Sequence, residues 1–243
     1  MVAEKSGDRI WRRPSIDFPL QVAAVAFDLD GTMVETLPDL HESANRMLNG
    51  LGRAPVPEGV VRAYIGDGVD RLVKRLLTGS QEGEPDASEF ERAAGDFRTH
   101  YAKILTRASH PFPGAIETLE TLRDRGFRLA CVTNKPARFT EPLLAGLEMT
   151  GYLDLVLSGD SLPKKKPDAL PLVHAANAFG IDCARLLMVG DSAVDAGAAR
   201  AAGCPVFCVP YGYRGTLAVQ ELDCDAIVPA LSDLPGLIRI PHS

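Results

Sequence analysis

The stretch Val22-Ala23-Ala24-Val25-Ala26-Phe27-Asp28-Leu29-Asp30-Gly31-Thr32 decides the fold. Its apolar run has the length and β-branched content of a buried strand. The run ends abruptly in two aspartates, a glycine and a threonine, and Gly31 lets the chain turn sharply. Open α/β sheets bind ligands beyond the C-terminal ends of their strands, which is where Asp28 and Asp30 fall. Close carboxylates repel, so such a pair holds a cation or shares a proton. Asp-x-Asp alone also fits a plain Asp-rich turn, whereas Asp-x-Asp-Gly-Thr after an apolar strand is much more specific.

Outward from this stretch the pattern changes twice. From about residue 36 to 110 it is helical throughout. Pro38 to Gly50 carries the stripe Leu40, Ala44, Met47 and Leu48, and Gly50 and Gly52 stop it. Val60 to Tyr64 reads as a short helix. Val69, Leu72, Val73, Leu76 and Leu77 then recur at steps of three and four, as do Phe90, Ala94, Phe97, Tyr101 and Ile104. After Pro111, helices, one of them from Pro167 to Phe179, alternate with strands expected at 127–133, 153–157, 185–189, 205–209 and 226–228, and a last helix is expected over 231–239. Such alternation implies right-handed crossovers and a parallel sheet covered on both faces. The expected fold is therefore α/β, a Rossmann-like parallel sheet core with helices on both faces and an inserted all-helical cap. The core takes residues 20–35 and 111–243, and the cap takes 36–110. Residues 1–19 read as a flexible lead-in, with Trp11 packing back onto the body. An insert that leaves from a strand's C-terminal end hangs over the ligand-binding edge, as a lid does.

Four places on that edge carry chemistry. Asp28 and Asp30 supply one carboxylate able to attack phosphorus and another able to protonate a leaving oxygen and then activate water. Thr133 and Asn134, at a strand end before a helix, make either an anion site with free backbone N–H groups or a plain helix cap. Within Lys164-Lys165-Lys166-Pro167, a lysine pinned before a proline is either a point cation for phosphate or part of a solvated basic turn. In Gly190-Asp191-Ser192-Ala193-Val194-Asp195, Asp191 is a hard oxygen donor suited to Mg²⁺. Asp195, three residues after Ser192, fits a capping box as well as it fits support of the metal site. All four places fall at strand C-termini of one sheet, and phosphoryl transfer needs just such positioning and charge neutralisation.

Composition narrows the classes. The 243-residue chain is 46% hydrophobic and 24% charged, ordinary for a globular protein, and its net charge of −6 disfavours nucleic acid or an anionic membrane as partner. No apolar run reaches membrane-spanning length. The five cysteines are odd in number and contain no Cys-x-x-Cys pair, so they read as free thiols in a reducing compartment. The chain is expected to be cytoplasmic, a monomer or homodimer, with a small phosphorylated metabolite as its partner.

These four places resemble the motifs of the haloacid dehalogenase (HAD) superfamily phosphatases with a helical cap, over about residues 22–240. The resemblance implies that Asp28 is the nucleophile and a Mg²⁺ ligand. It implies that Asp30 is the general acid/base and binds the metal through its backbone carbonyl. Thr133 and Asn134 would hold the phosphoryl group, Lys166 would bridge nucleophile and phosphate, and Asp191 would complete the Mg²⁺ ligands. The second aspartate separates the chain from the dehalogenase branch. Within the superfamily it is most similar to the bacterial phosphoglycolate phosphatases. The stretches Ile65-Gly66-Asp67-Gly68-Val69, Val132-Thr133-Asn134-Lys135-Pro136, Ala201-Ala202-Gly203-Cys204-Pro205 and Tyr211-Gly212-Tyr213 carry that similarity.

The implied reaction is Mg²⁺-dependent hydrolysis of 2-phosphoglycolate through an aspartyl-phosphate. The alternatives are another small phosphate (a sugar phosphate, N-acetylmuramic acid 6-phosphate or pyrophosphate) and a mutase of the β-phosphoglucomutase type. Met33-Val34-Glu35-Thr36 departs from the relatives' pattern at the hinge into the cap. A substrate carboxylate should meet a cap cation; Arg62, Arg71, Lys74 and Arg75 are the candidates, but each reads first as a solvated helix residue and none is placed in the site.

Overall fold

A computed structural model describes residues 10–215 and 217–241. A seven-stranded sheet contains, in chain order, β1 (Trp11–Arg12), β2 (Ala24–Phe27), β3 (Arg128–Val132), β4 (Leu155–Leu157), β5 (Leu186–Gly190), β6 (Val206–Cys208) and β7 (Ala226–Ile227). Its spatial order is β1-β7-β6-β5-β2-β3-β4. All neighbours are parallel except β1, which pairs antiparallel with β7.

The strand opened by Val22 is central, with β3 on one side and β5 on the other. The register places Phe27 opposite both Cys131 and Val189. Asp28, Thr133 and Asp191 therefore leave the sheet at one level, at the point where the strand order reverses. That crevice is where this architecture binds ligands.

Alternation along β2 separates two cores. Val25 and Phe27 face one side with Leu119, Leu122, Phe139 and Leu143 of helices α5 (Ala115–Asp124) and α6 (Ala137–Gly146). Ala24 and Ala26 face the other with Leu172, Ala175, Ala198 and Ala199 of α7 (Leu170–Phe179) and α8 (Ala193–Ala202). Small residues on β2, α7 and α8 allow close approach of helix to sheet. The result is a Rossmann-like α/β fold with helices on both faces.

Between β2 and β3 the chain makes four helices: α1 (Leu37–Gly50), α2 (Glu58–Tyr64), α3 (Val69–Thr78) and α4 (Ala87–Ile104). The stripe Leu40, Ala44, Met47 and Leu48 is buried on α1, as are Leu72, Val73 and Leu76 on α3. Val34–Glu35 pairs antiparallel with His110–Pro111 where the chain leaves the sheet layer and where it returns. The buried Asp39 carboxylate reinforces that junction by accepting from Ser109 N and Oγ, each at 2.7 Å.

Three sequence expectations change. The helix expected over 231–239 is a 3₁₀ turn at Leu231–Asp233 and one short helix, α9 (Leu234–Leu237). Ile238–Arg239 then forms a strand parallel to Leu20–Gln21, because an extended partner is at hand at the edge of the core. The flexible lead-in is tied down where it is described: Trp11 lies opposite Ile227, and Arg13 N donates to Asp225 O at 2.9 Å. Residues 1–9 of that lead-in lie outside the described residues. The helix expected from Pro167 begins three residues later, and the Asp168 carboxylate accepts from Leu170 N at 2.9 Å.

Candidate active site

Asp28 follows β2 directly, and its backbone N–H donates to Val189 O at 2.9 Å, so the β2–β5 pairing sets its position. Its side chain meets the buried ammonium of Lys166 at 2.8 Å. The same Nζ lies 2.6 Å from Asp195 Oδ1. Lys166 is thus a bridge between two carboxylates and is only 2% exposed.

Asp195 answers the two sequence readings at once. Its Oδ2 accepts from Ser192 N and Oγ, at 3.1 and 2.7 Å, which is the capping-box geometry at the start of α8. Its Oδ1 holds Lys166.

Asp191, two residues beyond β5's alignment with Phe27, accepts from Thr32 Oγ1 at 2.8 Å and from Tyr213 N. One carboxylate oxygen each of Asp28, Asp191 and Asp195 lies within 4.8 Å of the others. Crowding and burial leave this cluster short of positive charge. Burial pushes the Asp28 carboxyl up to about 7; Lys166 opposes that, and Asp195 and Asp30 add to it. Burial, then Asp195 and Asp28, raise Asp191 well above the usual carboxylate range. Burial alone would lower Lys166, yet Asp195 and Asp28 outweigh it and hold the lysine above its ordinary range.

The three lysines of 164–166 divide. Lys164 is exposed and pairs with Asp168 at 2.9 Å. Lys165 donates to Asp67 O, in the loop before α3, at 2.6 Å. Lys166 alone enters the cluster.

Neither Thr133 nor Asn134 caps α6, which starts after Pro136 without a side-chain cap. Thr133 Oγ1 accepts locally from Lys135 N at 3.2 Å. Asn134 Nδ2 donates to Gly66 O at 3.1 Å and to Lys166 O at 2.9 Å, and its buried Oδ1 has no hydrogen-bond partner among the described residues.

Asp30 faces elsewhere. Its two carboxylate oxygens lie 2.9 and 3.2 Å from Lys135 Nζ, which also donates to the Tyr101 hydroxyl on α4 at 2.6 Å. Lys135 was visible in the sequence only as a member of its motif. Tyr101 was visible only as a member of a helical stripe. Nothing in either pattern signals that the two meet over Asp30.

Asp28, Asp30, Thr133, Asn134 and Lys135 line one side of a cavity of about 30 Å³, and Leu40, Ile65, Gly66, Gly68, Val69 and Leu72 line the other. The cations expected from the helical segment are engaged away from it. Arg75 is buried on Tyr64 O and Asp67; Arg71 and Lys74 pair with Glu84. Arg62 lies over the Tyr213 ring and 3.9 Å from Glu35. Among the described lining residues Lys135 is the one cation, and it comes from the α/β layer. The departing hinge residue Glu35 is held by the Tyr213 hydroxyl, which also accepts from Thr36 N and Leu37 N at the start of α1.

Comparison with known proteins agrees with this arrangement. The haloacid dehalogenase-like hydrolase family matches residues 22–203. A phosphoglycolate phosphatase of Nitrosospira multiformis is 53% identical over 222 residues, covering 91% of this chain and 98% of that protein. A plasmid-encoded phosphoglycolate phosphatase of Cupriavidus necator is 46% identical, covering 90% and 94%. A crystal structure described as a predicted phosphoglycolate phosphatase from Haemophilus somnus superposes with a TM-score of 0.84 at 34% identity, covering 88% of this chain and 96% of that one. The chain belongs to the haloacid dehalogenase-like hydrolases.

Proposed function

We propose that this hydrolase is a Mg²⁺-dependent phosphatase that converts 2-phosphoglycolate to glycolate and phosphate. The observation that carries the reading is the Asp28–Lys166–Asp195 bridge with Asp191 beside it, Asp28 also lining the cavity between the sheet edge and the helical segment. The names of the relatives at 53% and 46% identity support the substrate.

Asp28 attacks phosphorus. An Asp28 Oδ–P bond forms as the bond from phosphorus to the bridging oxygen breaks, and Asp30 gives that oxygen a proton. Asp30 then takes a proton from water as it attacks the aspartyl-phosphate, releasing phosphate and restoring Asp28. Lys166, Thr133 and Asn134 hold the phosphoryl oxygens. Residues 36–110 act as the cap that keeps bulk water out, over a core of residues 20–35 and 111–243.

Mg²⁺ fits the donors present. Asp195 is the most heavily engaged, with three donors on Oδ2 and Lys166 on Oδ1, whereas Asp191 accepts one bond at each oxygen and Asp28 meets Lys166, so both keep lone pairs and carry raised pKa values that a cation would relieve. Those two carboxylates and the Asp30 backbone carbonyl would hold the ion, which supplies charge neutralisation of the transferring phosphoryl group.

The sign of a stability effect follows. A buried carboxyl with a folded pKa above its unfolded value near 3.9 binds more protons folded than unfolded, so stability falls as pH rises between the two. In EDTA the protein should therefore lose Tm between about pH 5 and pH 8. Mg²⁺ should raise Tm, and raise it more at the higher pH. A Mg²⁺ effect that is absent, or larger at low pH, removes the ion from this cluster.

The substrate is tested by phosphate release from a panel of small phosphoesters with Mg²⁺. A preference for 2-phosphoglycolate of about a hundredfold in kcat/KM is expected. A flat profile, or a sugar phosphate at the top, keeps the phosphatase and discards this substrate.

A further inference from the structure

We propose that Lys135 is the residue that reads the substrate's carboxylate, exchanging its resting partner Asp30 for the anionic tail of the leaving alcohol. The inference rests on the phosphatase reading above and concerns the part of the substrate that the phosphate-holding residues do not touch.

The argument is one of position. If Asp30 protonates the bridging oxygen, that oxygen lies against the Asp30 carboxylate. In 2-phosphoglycolate the carboxylate is one methylene further on. It must then lie beside whatever flanks Asp30, and that is Lys135 Nζ, 2.9 and 3.2 Å from the two Asp30 oxygens. A second carboxylate brought against Asp30 without a cation between them would be repelled, the more so at a part-buried site. Lys135 is 3% exposed yet lines the cavity, and among the described lining residues it is the one cation. The helical segment contributes apolar side chains and glycines to the opposite wall; Arg71, Lys74 and Arg75 are engaged elsewhere.

The ammonium is also built to swing between two anions. A lysine carries three N–H donors on a flexible stem. One is taken by the Tyr101 hydroxyl at 2.6 Å, and the Tyr101 ring lies 4.7 Å from Nζ. That anchor stays when the carboxylate partner changes. Tyr101 is itself fixed by Phe97 and Phe139, with ring centroids at 5.7 and 5.1 Å. The hydroxyl comes from α4 and the ammonium from the sheet layer, so the anchor forms only with the helical segment over the site. An ester lacking the anionic tail would leave Lys135 on Asp30.

The test compares kcat/KM for 2-phosphoglycolate with that for 2-hydroxyethyl phosphate, its neutral near-isostere, in the Mg²⁺-loaded wild type, Lys135→Met and Lys135→Arg. The wild type should prefer the carboxylate ester by about a hundredfold, as expected when a buried charge-assisted contact is present in one substrate only. Lys135→Met should cut that preference by about 30-fold or more, with Lys135→Arg recovering part of it. Lys135→Met turnover that falls equally on both esters overturns the inference and makes Lys135 a positioning residue for Asp30. A wild type that turns over both esters without preference overturns it with no variant needed, so a poorly folded variant does not shelter it. A wild type that releases phosphate from neither ester sinks the phosphatase reading, and the inference with it.

Discussion

Asp28→Asn should lose about 10⁴-fold or more in kcat while keeping its fold. The amide has the shape of the carboxylate but cannot form the bond to phosphorus. The structure adds a second, independent expectation. Asp28 is part-buried beside Asp191 and Asp195, and its carboxyl is pushed up to about 7. At pH 8 the negative charge is therefore present against its surroundings. The neutral amide removes that charge, and Lys166 keeps Asp195 at 2.6 Å as a partner. In EDTA at pH 8 the variant should melt above the wild type, and the gap should close towards pH 5. Turnover above about 1% of wild type would sink the nucleophile assignment. A variant that melts lower at pH 8 would sink the electrostatic account of the cluster.

Lys166→Met should be the most destabilising single change at the site. The methionine fills the same channel but leaves Asp28 and Asp195 as buried carboxylates without a countercharge. Breaking a buried pair by removing one partner costs about 3–5 kcal/mol. Here one ammonium serves two carboxylates, so the upper part of that range is expected. The same charge is needed when a phosphoryl group enters, so activity should vanish as well. Lys166→Arg should not restore it, because a planar fork cannot replace a point charge between two close oxygens. The stability loss should shrink at low pH, where the stranded carboxylates take up protons. Denaturation of the variant at about pH 5 and 8 reads this directly. An equal loss at both values would mean that the cost is packing rather than charge.

How much of this was legible beforehand depends on the range of the interaction. The central strand, the buried stripes on α1 and α3, and the strand-end placement of Asp28, Thr133 and Asp191 follow from local periodicity and from where apolar runs stop. The failures have the opposite cause. Residues 231–239 carry a helix-like apolar pattern, yet the end of the chain becomes a strand because Leu20–Gln21 offers an edge. Trp11 and Arg12 look like lead-in, yet they pair with β7, more than two hundred residues away in the chain.

The site divides in the same way. The residue types and their strand-end spacing in the sequence determined an α/β fold with a carboxylate pair, a candidate anion-holding turn, a lysine run and a further aspartate on one edge, and the family resemblance added the hydrolase. The family resemblance singles out Lys166 of three consecutive lysines, but only the tertiary structure showed it buried between two carboxylates. Only it made Asp195 the partner of Lys166 as well as a helix cap, and placed Lys135 and Tyr101 over Asp30. A local pattern can state where a side chain leaves the backbone. Which charge it then meets depends on β2, β3 and β5 standing side by side and on α4 returning over them, and no stretch of sequence contains that distance.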